Sequence, residues 1–215
     1  MRNGNSEADR KQKRRRRQIQ IIFLYIAIAI GLAWFFESQA TTTVIFVRHA
    51  EKELQPPDDP DLSEAGRRRV AELTRQLVDA DVVAGVDAIY STPYKRTLQT
   101  VQPLADALDL PVQRYDPDDN EAVLETILAN HKGRIILVVG HSDTIPGLIA
   151  DLGASKNVPD IADTEYDNIY IISIPWFGKT KTIRLRYGEA YTGEPASEDN
   201  TSPMVPTTTS DNSQE

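Results

Sequence analysis

Residues 43–51 read Thr43-Val44-Ile45-Phe46-Val47-Arg48-His49-Ala50-Glu51. Five β-branched or aromatic residues in unbroken succession suit a central strand buried on both faces, since a strand with one wet face would alternate. The run hands over abruptly to three titratable side chains. The same pattern returns twice: Asp87–Tyr90 leads into Ser91, with Arg96 five residues on, and Arg134–Val139 (RIILVV) leads into Gly140-His141-Ser142-Asp143-Thr144.

Helical periodicity fills the intervals. Leu62–Ala80 carries Val70, Leu73, Leu77 and Val78 as an inward stripe, with Ser63 placed to cap its start. A second helix begins near Tyr94 and is expected to bend or restart at Pro103, which lacks a backbone donor. Pro111–Tyr115 reads as a strand and Asn120–Asn130 as a helix. Another helix opens at Thr144 with Pro146 in its first turn, where a missing N–H costs little. Ile169–Ile174 and Thr182–Arg186 read as closing strands. Such alternation predicts an α/β fold, a three-layer sandwich around a mostly parallel central sheet.

Outward from this domain, set at 41–188, the composition changes on both sides. Residues 1–18 hold eight Lys/Arg, among them Arg14 to Arg17, against Glu7 and Asp9. Residues 19–36 (IQIIFLYIAIAIGLAWFF) are uncharged and, as a helix, reach about 27 Å, close to the hydrocarbon thickness of a bilayer. The basic flank predicts a single-pass signal-anchor with the N-terminus cytoplasmic and the domain extracytoplasmic. The alternative is secretion after cleavage at Ala40, because Ser38 and Ala40 are small residues spaced as a cleavage site requires. Residues 189–215 are rich in Ser, Thr, Pro and acids, too poor in apolar groups to offset an ordering cost, and are expected to be disordered.

The chain has a net charge of −8 in spite of that basic head, and no cysteine. An acidic domain lacks the cationic face that nucleic acid demands. Without cysteine there is no disulfide framework, thiol nucleophile or Cys₄ zinc site.

Three strand tips bearing Arg48-His49, Ser91 with Arg96, and His141 would meet at the carboxyl edge of an open α/β sheet, where ligands of such folds bind. Arginine presents a planar fork of donors matched to phosphate oxygens, and a neutral imidazole is nucleophilic near neutral pH. Two of each around one crevice suit a phosphoryl group. The helix opening at Thr144 aims free N–H groups at the same edge.

These segments resemble the signatures of the histidine phosphatase superfamily, the phosphoglycerate mutase-like family, in its compact branch 1 form. Arg48-His49-Ala50-Glu51 is similar to its R-H-G/A-E element, Leu62-Ser63-Glu64-Ala65-Gly66 to its L-[ST]-x-x-G helix start, Ser91 to Thr100 to its S-x-x-x-R-[AT]-x-x-[ST] segment, and Val139-Gly140-His141-Ser142 to its V-x-G-H-S/G element. All four occur in the family's order.

The resemblance implies that His49 attacks phosphorus to form a phosphohistidine, which water then hydrolyses. It implies that Arg48, Arg96 and His141 bind the phosphoryl oxygens. Ser91 supports the pocket, and neither cofactor nor metal is implied. The leaving oxygen needs a proton donor, and here the resemblance thins. Asp116 is the favoured acid, with Asp118, Asp119, Glu121 and Asp143 as alternatives, or none at all. The expected partner is a phosphorylated small molecule or phosphoprotein. Mutase chemistry fits less well, because the domain is compact. The competing function is a catalytically inactive, membrane-tethered module that binds phosphorylated ligands. Arg67, Arg68 and Arg69 read as a solvated face, His131 as a helix C-terminus, and Glu165-Tyr166-Asp167 as structural, with lining of the substrate mouth as the alternative.

Overall fold

A computed structural model describes residues 4–38, 41–79 and 85–193. The expected cleavage point at Ala40, the end of the first domain helix at Ala80, and the tail from residue 194 lie outside the described residues. The elements are α1 (Gly4–Ser38), β1 (Thr42–Arg48), α2 (Glu64–Asp79), β2 (Ala88–Ser91), α3 (Lys95–Leu108), β3 (Val112–Arg114), α4 (Asn120–Asn130), β4 (Ile135–Gly140), α5 (Ile145–Asp151), β5 (Asn168–Ile174) and β6 (Lys181–Arg186).

The six strands form one sheet in the order β3-β2-β4-β1-β5-β6. The β3, β2, β4 and β1 ladder is parallel, while β5 runs antiparallel to both of its neighbours. The uniformly apolar strands are explained by layers on both faces. Val44 and Phe46 of β1 pack with Val123, Ile127 and Leu148 of α4 and α5. Ile45 and Val47 point the other way, into the cluster of Leu73 and Leu77 of α2 with Val101 and Leu104 of α3. Side-chain alternation along a strand thus supplies both interior layers from one short run. Each fully buried Val, Leu, Ile or Phe contributes roughly 1.5–3 kcal/mol to this sandwich.

The start of α2 is set by its cap. The Ser63 hydroxyl accepts from Gly66 N–H at 3.1 Å and donates to the Glu51 carbonyl at 3.2 Å, tying the helix to the segment after β1. A Cβ on Gly66 would collide with that same carbonyl, so only glycine permits the approach.

Three local expectations are corrected. Helix α3 runs unbroken through Pro103, whose buried neighbours Val101, Leu104 and Ala105 hold it against the sheet. Val78 is 41 % exposed and leaves the inward stripe to Val70, Leu73 and Leu77. Arg69 is buried, unlike Arg67 and Arg68. Its guanidinium bonds Glu51 at 2.8 Å and the carbonyls of Tyr187 and Glu189. Burial alone would lower the Arg69 pKa, yet the Glu51 carboxylate outweighs it and raises it. Arg69 thereby stitches α2 to the segment following both β1 and β6.

Helix α1 is solvent-exposed throughout its described side chains, and its stretch Arg10–Phe35 is long and apolar enough to cross a membrane. Among the described residues it is the one helix of that kind.

Candidate functional site

Parallel β1, β4 and β2 end side by side: Arg48 is paired with Gly140, and Ser91 with Val139. The residues just beyond these ends are therefore brought together by register alone. His49 N–H donates to the Gly140 carbonyl at 3.1 Å, extending the ladder one residue into the site.

The two imidazoles lie with ring centroids 5.4 Å apart. His49 is 3 % exposed, and its Nδ1 lies 2.8 Å from the Ala50 carbonyl. A carbonyl only accepts, so Nδ1 carries the hydrogen and Nε2 keeps a free lone pair. Burial lowers the His49 pKa to about 3. The bond to Ala50 opposes that shift, and the neighbouring charges of Arg48, His141 and Arg96 reinforce it. The ring is a neutral nucleophile well into the acid range.

His141 is oriented by its own neighbours. Arg96 Nη2 lies 3.5 Å from Nδ1, and because a guanidinium only donates, Nδ1 is the acceptor. Nε2–H then donates to Thr92 Oγ1 at 3.0 Å, which is 2.8 Å from Thr97 Oγ1. Burial lowers His141 to about 4, Arg96 and Arg48 push the same way, and Asp143 opposes them.

Arg48 is held from behind. Its Nη1 donates to the Ala162 and Glu165 carbonyls at 2.7 and 3.2 Å, and its guanidinium lies 4.3 Å from the Tyr166 ring centre. Its Nε is buried with no hydrogen-bond partner among the described residues. Burial lowers its pKa, against the nearby Tyr166, Asp163, Asp143 and Glu165, and the guanidinium keeps its charge. Arg96 is similarly backed, 4.3 Å from the Tyr94 ring centre.

His49, Arg96 and His141 open onto a hollow of about 450 Å³, whose lining also includes Lys52 and four carboxyls, Asp58, Asp118, Asp143 and Asp163, while Arg48 lies buried behind it. Of the residues expected at the site, His49, Arg96 and His141 line this hollow, and Arg48 is buried against Tyr166 beside it. Ser91 sits directly beneath, fully buried, with its hydroxyl donating to the Thr92 carbonyl. Asp116 does not join them. Its carboxylate accepts from Asp118 N–H in a local turn, and it lines a separate, smaller hollow with Tyr90 and Arg114. Asp119 caps α4 by accepting from Ala122 N–H. Asp118 and Asp143 face the site.

Sequence reading missed Tyr94, Thr92 and Asp163, and it took Tyr166 as structural, with the substrate mouth as the alternative. Tyr94 and Thr92 lie inside the Ser91–Arg96 segment, so their neighbourhood was in view even though their contacts were not. Tyr166 and Asp163 come from the loop before β5, which no strand-tip pattern marks. Glu165 and Asp167 are structural, both receiving hydrogen bonds from Arg186.

Residues 44–117 match the family model described as the histidine phosphatase superfamily (branch 1). Phosphoserine phosphatase 1 of Hydrogenobacter thermophilus is 39% identical over 79 residues, which cover 34% of this chain and 36% of that protein. The chain thus spans little more than a third of the length of this curated relative. Among solved structures, the protein histidine phosphatase SixA complexed with tungstate aligns with a TM-score of 0.53 and 18% identity, covering 67% of this chain and 96% of that one. The mycobacterial glucosyl-3-phosphoglycerate phosphatase with inorganic phosphate aligns with a TM-score of 0.51 and 15% identity, covering 69% and 97%. At these identities the structural likeness is one of fold.

Proposed function

We propose that the chain, whose residues 44–117 match the histidine phosphatase superfamily (branch 1), is a histidine phosphatase that hydrolyses phosphomonoesters, of small molecules or of phosphoprotein, through a phosphohistidine on His49. The observation that carries this reading is the free Nε2 of a buried, neutral His49 whose ring lies 5.4 Å from that of His141, flanked by Arg48 and Arg96.

Arg48, Arg96 and His141 bind the phosphoryl oxygens. A bound dianion draws Arg96 away from His141 Nδ1 and favours protonation there, so that His141 donates to the phosphate. His49 Nε2 then forms a bond to phosphorus as the ester P–O bond breaks. The leaving oxygen takes a proton from Asp118, which shares the hollow with His49. In the second step water attacks phosphorus, gives its proton to the Asp118 carboxylate, and the N–P bond breaks. Inorganic phosphate leaves, and His49 and Asp118 return to their starting forms. The guanidinium groups supply preorganised charge where the transferring oxygens become more negative.

The apolar stretch of α1, with its basic N-terminal flank, supports a single-pass anchor with the domain on the extracytoplasmic side. Turnover of an aryl phosphate by the detergent-solubilised full chain tests the activity. Loss of turnover in His49→Ala, with phosphate binding retained, supports the enzyme. Tight phosphate binding without any turnover in the unaltered chain would leave a phospho-ligand receptor instead.

A further inference from the structure

We infer that the β5–β6 hairpin is a second membrane contact: Trp176 and Phe177 enter the bilayer interface beside α1, and the catalytic mouth is held facing away from the lipid. The inference rests on the reading of α1 as a membrane anchor.

Three observations place the hairpin there. The first is the tether. Helix α1 ends at Ser38 and β1 starts at Thr42, so residues 39–41 can separate them by at most about 14 Å. The second is register. Thr42 is paired with Ile174, the last residue of β5, so the turn from Pro175 onward leaves the sheet at the edge where the tether enters. The third is direct contact. The Trp176 ring meets that of Phe35, near the end of α1, edge to face with centroids 6.2 Å apart. Trp176 is nonetheless 59 % exposed and Phe177 85 % exposed. Two large aromatics at a loop tip find little else to bury against, and aromatic rings favour the headgroup level of a bilayer.

The charges at this edge agree. The turn PWFGKTK contains Lys179 and Lys181 and no acid, in a chain whose net charge is −8. Thr182 Oγ1 accepts from Ser155 N–H, which brings exposed Lys156 alongside, and Thr42 Oγ1 accepts from Gly133 N–H, which brings exposed Lys132. Lysines at such an edge are drawn to the phosphate groups of a lipid headgroup layer. The catalytic residues follow the opposite ends of β1 and β4, about 20 Å away along the strands. The hairpin and tether together therefore fix which end of the sheet faces lipid, leaving the hollow open to solutes and to peptide chains in the aqueous phase.

The chain's two tryptophans allow a direct test with the full-length protein in vesicles of phosphatidylcholine and phosphatidylglycerol, the former carrying brominated acyl chains. In Trp34→Phe, emission comes from Trp176 alone and should be quenched by the brominated lipid and shielded from aqueous iodide. In Trp176→Phe, emission comes from Trp34 and reports on the anchor itself. Quenching of Trp34 without quenching of Trp176 overturns the hairpin contact while leaving the anchor intact. Absence of quenching at both positions overturns the anchor and the inference with it. A Trp176 shielded from iodide yet untouched by brominated lipid would mean that protein, such as a second copy of this chain, covers the hairpin, and would also overturn it.

Discussion

The imidazole of His49 and that of His141 stand 5.4 Å apart, edge to face, although 92 positions separate them in the chain, because β1 and β4 are adjacent parallel strands that end in register. Each ring has one nitrogen committed to a protein partner, Ala50 O for His49 and Thr92 Oγ1 for His141. Their remaining nitrogens are left for Arg96 and for substrate. A phosphoryl group bound there would meet a nucleophile with its lone pair exposed and donors already aimed.

Removal of one donor should cost chemistry more than folding. Arg96→Ala leaves its backing ring, Tyr94, in place and deletes one phosphate fork, so kcat for an aryl phosphate should fall by about 10²–10³, with a near-native thermal midpoint. Steady-state kinetics alongside thermal unfolding checks this. An unchanged kcat would remove Arg96 from the transition state.

The acid assignment turns on the leaving group. Asp118→Asn should slow hydrolysis of alkyl phosphates by about 10²–10⁴ while sparing aryl phosphates, whose leaving oxygen departs without a proton. Asp116→Asn should leave both rates near wild type, because its carboxylate serves a turn outside the hollow. The same selective loss in Asp143→Asn and not in Asp118→Asn would reassign the donor.

Burial of two neutral imidazoles makes the fold acid-sensitive in a defined window. The folded pKa values lie near 3 for His49 and 4 for His141, below the ordinary 6.5. The unfolded chain takes up protons first, so the stability associated with these rings is present above about 6.5 and is lost as pH falls toward 4 and 3. The thermal midpoint should decline from neutrality to about pH 5, and less steeply in His49→Gln. Ring NMR titration should show no inflection near 6.5 for His49, and added phosphate should raise the His141 titration. A His49 inflection at 6.5 would contradict the buried, neutral ring.

Gly66 carries a steric prediction. Gly66→Ala forces a Cβ against the Glu51 carbonyl, so the segment joining β1 to α2 must shift, at a cost of about 1–3 kcal/mol. Denaturant unfolding should register that loss, together with reduced turnover, because Glu51 follows His49 by two residues. Wild-type stability in Gly66→Ala would show that the approach is less tight than described.

The order of strands and helices was legible because each central strand is a dense apolar run and each ends in polar punctuation. Arg48, His49 and His141 were legible for the same reason, since strand tips converge in a parallel sheet, and Arg96 was marked by its spacing from Ser91. The acid was not, because Asp116, Asp118 and Asp119 occupy one short turn in which backbone geometry decides the direction of each carboxylate. Arg69 was misread for a related reason: three consecutive arginines look alike in sequence, but the helical period turns only one toward Glu51. Tyr166 reaches Arg48 from a loop whose path follows from tertiary packing, which local pattern does not encode.

Membrane placement has its own test, helped by the absence of cysteine. A single cysteine replacing Glu125, exposed on α4, should react with an impermeant maleimide added to intact cells. A cysteine replacing Asn5 should react only after permeabilisation. The reverse pattern would invert the topology.

The central claim is that His49 becomes covalently phosphorylated. Brief reaction with substrate labelled in its phosphoryl group, quenched in alkali and mapped by mass spectrometry, should place the label on His49 as an acid-labile phosphoramidate, absent in His49→Ala. Label on an aspartate or serine, or undiminished turnover in His49→Ala, would contradict it.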